Sequence, residues 1–88
     1  MSVYKVGDVA EIEAFNPEDG KEAVTIVKIQ KSRISEIYLC QSNETPNLFI
    51  RALERPNSNG VLRGTTAMRV GMMGLDETGV AEYLGFNA

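Results

Sequence analysis

The sequence predicts a mainly β fold: a small barrel or open roll of four to six antiparallel strands, followed by one short C-terminal helix. Short runs rich in β-branched and aromatic residues recur at spacings of about 8–12 residues, separated by turn-forming residues, as is typical of small all-β domains. Near the C-terminus this pattern gives way to helix-capping residues. A chain of 88 residues accommodates one domain, residues 1–88, with one modest core.

The first predicted strand covers residues 8–14, where polar and apolar side chains alternate. Ala10 and Ile12 would face the core, and Glu11 and Glu13 the opposite side. Two carboxylates on the outer side of one strand are more typical of a solvated face or a protected sheet edge than of an acid–base pair.

The later strands are predicted from runs of β-branched and aliphatic residues, which fit a pleated sheet better than a helix. They lie at residues 23–30, 34–41, 48–53 and 61–63, with the last resuming near 67–70. Turn-forming residues separate them at 16–20, 31–33, 43–47 and 55–60. The Asn59-Gly60 pair in the last of these turns favours a hairpin.

The C-terminal segment carries the signals of a short helix. Asp76 is the predicted N-cap and Gly85 the predicted stop. Leu75 and Val80 are spaced as a hydrophobic staple. The predicted apolar face consists of Val80, Ala81, Tyr83 and Leu84. Gly79 inside the helix costs about 1 kcal/mol relative to alanine, so we expect the helix to depend on docking.

Three short motifs open the chain: Val6-Gly7-Asp8-Val9 with Ile12, then Asp19-Gly20-Lys21-Glu22, then Thr25-Ile26-Val27-Lys28-Ile29. Segment 6–30 thereby resembles the start of an SH3-like small barrel of the KOW type, found in ribosomal proteins and transcription elongation factors. The resemblance implies binding of RNA or of proteins, and it covers the first third of the chain. Ala23 and Val24 stand where that family usually has a second glycine. A generic SH3-like barrel and an unrelated antiparallel hairpin stay open as alternatives.

The residue types argue against an enzyme. The chain has no histidine and one cysteine, Cys40, so it lacks the commonest general base and the usual zinc ligand sets. It also lacks a phosphate-binding glycine loop and a nucleophile-elbow motif. We therefore expect no catalytic residues, no metal, no cofactor and a buried, apolar Cys40. The lone cysteine and the lack of a leader-like or membrane-spanning segment predict a cytoplasmic location.

The charges are sorted along the chain. Residues 1–27 carry six acidic residues against two lysines, a net charge of −4. Residues 28–69 carry seven cations against three glutamates, a net charge of +4, and residues 70–88 add three acids. The total is the −3 of the whole chain. This sorting predicts a surface of one sign and a charged partner.

Arginine supplies every cation from Arg33 onward. Because arginine offers a planar fork of donors, arginines on one surface would suit carboxylate or phosphate recognition. The candidate partner-binding residues are Arg51, Arg55, Arg63 and Arg69. The alternative is a set of solvated charges paired with nearby acids.

Residues 68–75 hold three of the four methionines, and two glycines accompany them. The favoured interpretation is that Met72 and Met73 plug the mouth of the barrel while Gly71 and Gly74 turn the chain into the helix. The alternative is a contact surface, including one for self-association, because methionine adapts to partners.

The predicted function is a non-enzymatic interaction module, an accessory factor or inhibitor, that binds a protein partner through a surface including the arginines. RNA or DNA binding is the alternative, but a pI near 4.9 and few aromatic residues disfavour it. A further alternative is a subunit of a homo-oligomeric assembly such as a virion or secretion structure. No membrane association is expected.

Overall fold

The computed structural model describes residues 4–13, 20–31, 36–54 and 62–86. The strands are β1 (Val9–Glu13), β2 (Lys21–Lys31), β3 (Glu36–Ser42), β4 (Leu48–Glu54) and β5 (Leu62–Arg69). A 3₁₀ turn (Met72–Gly74) and helix α1 (Glu77–Tyr83) follow. The mainly β fold with one short C-terminal helix is therefore confirmed. The predicted turns around 16–19, 32–33 and 55–60, together with Ala14, Arg33 and Arg55, lie outside the described residues.

The five strands close into a barrel in which each strand pairs with its sequence neighbour. All four consecutive pairings are antiparallel. The closing pairing, Ile12 with Leu62 and Glu13 with Arg63, is parallel. This direction follows from strand number, because the first and last strands of a five-strand up-and-down meander run the same way. The prediction of antiparallel strands thus holds for every pairing except the one that closes the ring.

The inner core is built from the side chains that alternate towards the barrel axis. It comprises Ala10, Ile12, Val24, Ile26, Tyr38, Cys40, Ile50, Ala52 and Leu62, all buried. The predicted inward positions Ala10 and Ile12 are confirmed, and Glu11 lies exposed on the other side of β1. The predicted break between 61–63 and 67–70 is wrong, since β5 is continuous. In place of the predicted break, the pairing of β4 with β5 shifts register between Arg51 and Ala52.

A second core lies on the outside of the barrel, beneath α1. It comprises Leu39, Phe49, Met68, Val80, Ala81, Leu84 and Phe86. Leu75 packs against this cluster together with Val80, as expected for the predicted staple. A methyl group added at Gly79 would meet Leu75 Cδ2 at 3.0 Å, so the glycine leaves room for that contact. In the described ranges no helix has the length and hydrophobicity needed to cross a membrane.

Both ends of α1 are capped. Asp76 Oδ1 accepts a hydrogen bond from the Gly79 backbone N–H at 2.8 Å, which confirms the predicted N-cap. At the other end Gly85 has φ = +96° and donates its N–H to Glu82, while Phe86 donates to Ala81. These two bonds form a Schellman motif and satisfy the last carbonyls of the helix.

Tyr83 departs from the predicted apolar face of α1. Its side chain is 55 % exposed, whereas Val80, Ala81 and Leu84 are buried as predicted. At about 100° per residue, Val80, Ala81 and Leu84 lie within one arc of about 100° around the helix axis, and Tyr83 lies outside that arc. The aromatic ring therefore lies on the solvent side.

We expect Asp76→Ala to lower the free energy of unfolding by about 1 kcal/mol, because it removes the acceptor for the Gly79 N–H. Urea denaturation of the full chain measures this change. Asp76→Asn keeps a side-chain oxygen at the cap and should stay within a few tenths of a kcal/mol of the wild type. Equal loss in both variants would contradict the capping role.

Candidate functional site

The most unusual backbone of the described residues lies in the methionine turn, which we define as residues 71–74. Gly71, Met73 and Gly74 all have positive φ, at +95°, +55° and +74°. The predicted turning role of the two glycines is confirmed. Two backbone hydrogen bonds close the turn: the Gly71 N–H donates to the carbonyl oxygen of Leu75 at 2.8 Å, and the Leu75 N–H donates to the carbonyl oxygen of Met72 at 3.0 Å. The turn is thus closed by hydrogen bonds of its own backbone.

The two methionines of this turn point to solvent. Met73 is 73 % exposed and Met72 is 50 % exposed. The prediction that they plug the barrel mouth is wrong, because inward side chains from the strands already fill the interior. Met68 is the methionine that contributes to packing, in the outer core. The alternative prediction, a contact surface, is the one compatible with this exposure.

A groove opens beside α1 on the outer face of the barrel, with a volume of about 210 Å³. Its apolar lining comes from Val27, Leu39, Phe49 and Ala81, and its polar lining from Lys28, Gln41, Glu77 and Thr78. The β2–β3 register shifts between Ile26 and Lys28, so the adjacent residues Val27 and Lys28 both reach the groove. Sequence reasoning missed this groove, because it forms between elements far apart in the chain.

Arg51 is engaged within the fold. Its Nη1 donates to the carbonyl oxygen of Leu84 at 3.3 Å, at the C-terminal end of α1. A methyl group at Gly85 would come within 3.0 Å of the same nitrogen. A cation at the end of a helix interacts favourably with the helix dipole. Arg51 therefore holds α1 on the barrel.

Arg63 and Arg69 are exposed but lie on opposite sides of β5. Arg63 pairs with Leu53 on the outer side, while Arg69 pairs with Leu48, which packs against the inner core. Their separation of six residues would put them on one face of a regular strand. The register shift leaves Thr65 unpaired and reverses the alternation between them. The described arginines thus do not form one common face, and Arg55 lies outside the described residues.

One end of the barrel concentrates acidic groups around two tyrosines. Tyr4 and Tyr38 stack edge to face with ring centroids 5.9 Å apart, and the Tyr38 hydroxyl donates to Glu36 at 2.8 Å. Burial, and then the negative charge of Glu54, raises the pKa of Tyr4. Among the described residues no group of three or more histidine, cysteine or acidic side chains could hold a metal ion.

Comparison with protein-family models, with curated proteins and with solved structures finds no match to this chain. The small-barrel description therefore rests on the strand topology itself.

We expect Arg51→Ala to lower the free energy of unfolding by about 1 kcal/mol, because it removes the contact with the end of α1. Arg63→Ala, at an exposed position of the adjacent strand, should change it by less than about 0.5 kcal/mol. Chemical denaturation of both variants tests this assignment. Indistinguishable stabilities would show that Arg51 does not support the helix.

Burial raises the pKa of the Cys40 thiol to about 12, from an ordinary value of 9.0. Since the thiolate is the reactive form, native protein at pH 8 should react with an aromatic disulfide reagent about a thousandfold more slowly than unfolded protein.

The unfolded chain loses the Cys40 proton at lower pH than the native chain, so the thiol's contribution to the free energy of unfolding should fall as pH rises from 9 towards 12. Cys40→Ala should lack that loss. Equal labelling rates in native and unfolded protein would contradict the assignment.

Proposed function

We propose that this chain is a non-enzymatic protein-interaction module that binds another protein through the methionine turn. The proposed surface is residues 71–74, in place of the predicted arginine set, with Arg69 at one border and Asp76 at the other. Both bordering side chains are exposed and of opposite charge. An apolar centre with charged neighbours is the usual composition of a small protein contact.

One observation carries the proposal: Met73 combines a left-handed backbone with high exposure. Within the described ranges it is the one non-glycine residue with positive φ, and it is the most exposed of the large apolar side chains. The left-handed conformation costs about 1–2 kcal/mol for a residue with a side chain. Glycine or asparagine at position 73 would tolerate the left-handed conformation and would not expose a large apolar side chain. A contact made by the thioether of Met73 therefore gives a reason for methionine at this position.

The charges favour a protein over a nucleic acid as the partner. Asp76 and Glu77 lie two and three residues after the turn and are exposed, so they would repel phosphates. Arg51, the arginine nearest to α1 in the described set, is already bonded to Leu84. The acidic pI of about 4.9 supports the same preference.

We further propose an affinity with SH3-like barrels of the KOW type for residues 6–30. Gly7 and Gly20 both have positive φ, as turn glycines at the motif's positions need. The pairing of β1 with β2 and the closed five-strand ring are compatible with that architecture. The role that fits best is an accessory factor or inhibitor, acting in the cytoplasm.

The test separates binding from folding. Met73→Asn should leave the free energy of unfolding unchanged or raise it by up to about 1 kcal/mol, because asparagine tolerates the left-handed region. The same substitution should abolish capture of a partner from nuclease-treated host lysate, measured by quantitative mass spectrometry.

Val9→Thr is the matched control, since Val9 is a 65 % exposed apolar residue on β1 and threonine suits a strand. It should retain the captured protein. If Met73→Asn captures the same proteins in the same amounts as the wild type, the methionine turn is not the binding surface.

A further inference from the structure

We propose that the methionine turn is a reversible oxidation site, where conversion of Met72 and Met73 to methionine sulfoxide makes the surface polar and leaves the chain folded. This inference rests on the proposed function, because it names a regulation of the same binding surface. The oxidant is a peroxide, and the reductant is a thiol acting through a methionine sulfoxide reductase.

The fold protects some sulfur atoms and presents others. Among the described residues four side chains carry sulfur: Cys40, Met68, Met72 and Met73. Cys40 is buried, and its raised pKa keeps it in the thiol form, which reacts poorly with peroxides. Met68 is buried in the outer core, whereas Met72 and Met73 are exposed. Because a peroxide must reach the thioether sulfur to oxidise it, the two methionines of the turn should react first.

The reaction is a two-electron oxidation at sulfur. A lone pair of the thioether attacks one oxygen of hydrogen peroxide, an S–O bond forms, the O–O bond breaks and water leaves. In the reverse reaction the oxygen leaves as water while two thiols are oxidised to a disulfide. The sulfoxide is polar and chiral, so the apolar projection of the turn is lost when sulfur is oxidised and regained when it is reduced.

The fold tolerates oxidation of the turn, because these side chains take no part in the core. No residue of the 3₁₀ turn (Met72–Gly74) is buried. Backbone hydrogen bonds close the turn, and neither involves a sulfur atom. Oxidation of Met68 would differ, since it would place a polar sulfoxide beside Phe49 and Leu84 in the outer core. Selective oxidation of the turn therefore changes the surface and spares the packing beneath α1.

Oxidation should weaken the proposed contact with a protein partner. A sulfoxide buried in an apolar interface is a desolvated polar group without a hydrogen-bond partner, and such burial is unfavourable. An interface centred on Met72 and Met73 would carry two such groups after oxidation. We therefore expect the oxidised chain to release its partner and the reduced chain to bind it again.

Peroxide treatment of the full chain, followed by peptide mass mapping, tests the site. In native protein Met73 and Met72 should each gain one oxygen at least about tenfold faster than Met68, whereas in urea the three rates should be similar. The oxidised protein should keep the urea midpoint of the untreated protein. Methionine sulfoxide reductases for both sulfoxide epimers, with dithiothreitol, should remove the added oxygen. Equal native rates, unfolding on oxidation of the turn, or failure of the reductases would overturn the inference.

The proteins that the wild type captures from nuclease-treated host lysate serve as the binding probe. Wild type treated with peroxide, which is then removed, should capture at least about tenfold less of them, and reductase treatment should restore capture. The matched control is the double variant Met72→Leu/Met73→Leu, which keeps apolar side chains in the turn without sulfur. Its capture should not change on peroxide treatment.

Oxidised wild type that captures as much as the untreated protein also overturns the inference. The variant Met73→Asn then shows which proposal has failed. Loss of capture by Met73→Asn leaves the methionine turn standing as the binding surface and refutes its regulation alone. Retention of capture by that variant refutes the binding surface as well.

Discussion

Docking of the C-terminal helix on the outside of the barrel is the interaction on which the other surface features depend. A seven-residue helix is too short to persist alone in water, so its stability must come from packing and capping. Val80, Leu84 and Phe86 supply the packing against Leu39 and Phe49. Asp76 caps the first turn, and the Schellman motif closes the last. With α1 in place, the groove gains one wall and the methionine turn gains the anchor at Leu75 that closes it.

The described part of the chain satisfies its folding requirements almost everywhere, which makes Met73 stand apart. No buried side-chain nitrogen or oxygen in the described ranges lacks a hydrogen-bond partner. The other positive φ values there belong to glycines, which adopt that conformation without strain. A site that departs from local rules within an otherwise consistent structure is a reasonable place to seek function. The methionine turn departs from two such rules: Met73 has a left-handed backbone conformation, and its apolar side chain is exposed.

The charge pattern shows how tertiary structure redistributes residues that look alike in sequence. Arg51 belongs to the support of α1, because the carbonyl of Leu84 lies within reach of its guanidinium. Arg63 and Arg69 would share a face on an uninterrupted strand, but the unpaired Thr65 reverses the alternation between them. One additional residue in β5 therefore determines whether the arginine side chains lie on the same face of the sheet. Neither the insertion nor the position of the helix end can be read from arginine spacing.

Short-range patterns in the sequence predict much of the local structure: the positions of the first four strands, the inward side of β1, the N-cap at Asp76 and the stop at Gly85. These features depend on periodicity and turn chemistry within a few residues, so short-range patterns suffice to predict them. The sequence suggested methionines in the barrel mouth because methionine is apolar, and it could not indicate that strand side chains fill that space. The closure of β1 on β5, the two register shifts, the groove and the exposure of Met73 follow only from the tertiary structure. Each of these depends on which distant segments meet and in which register, and that is fixed only when the ring closes and α1 docks.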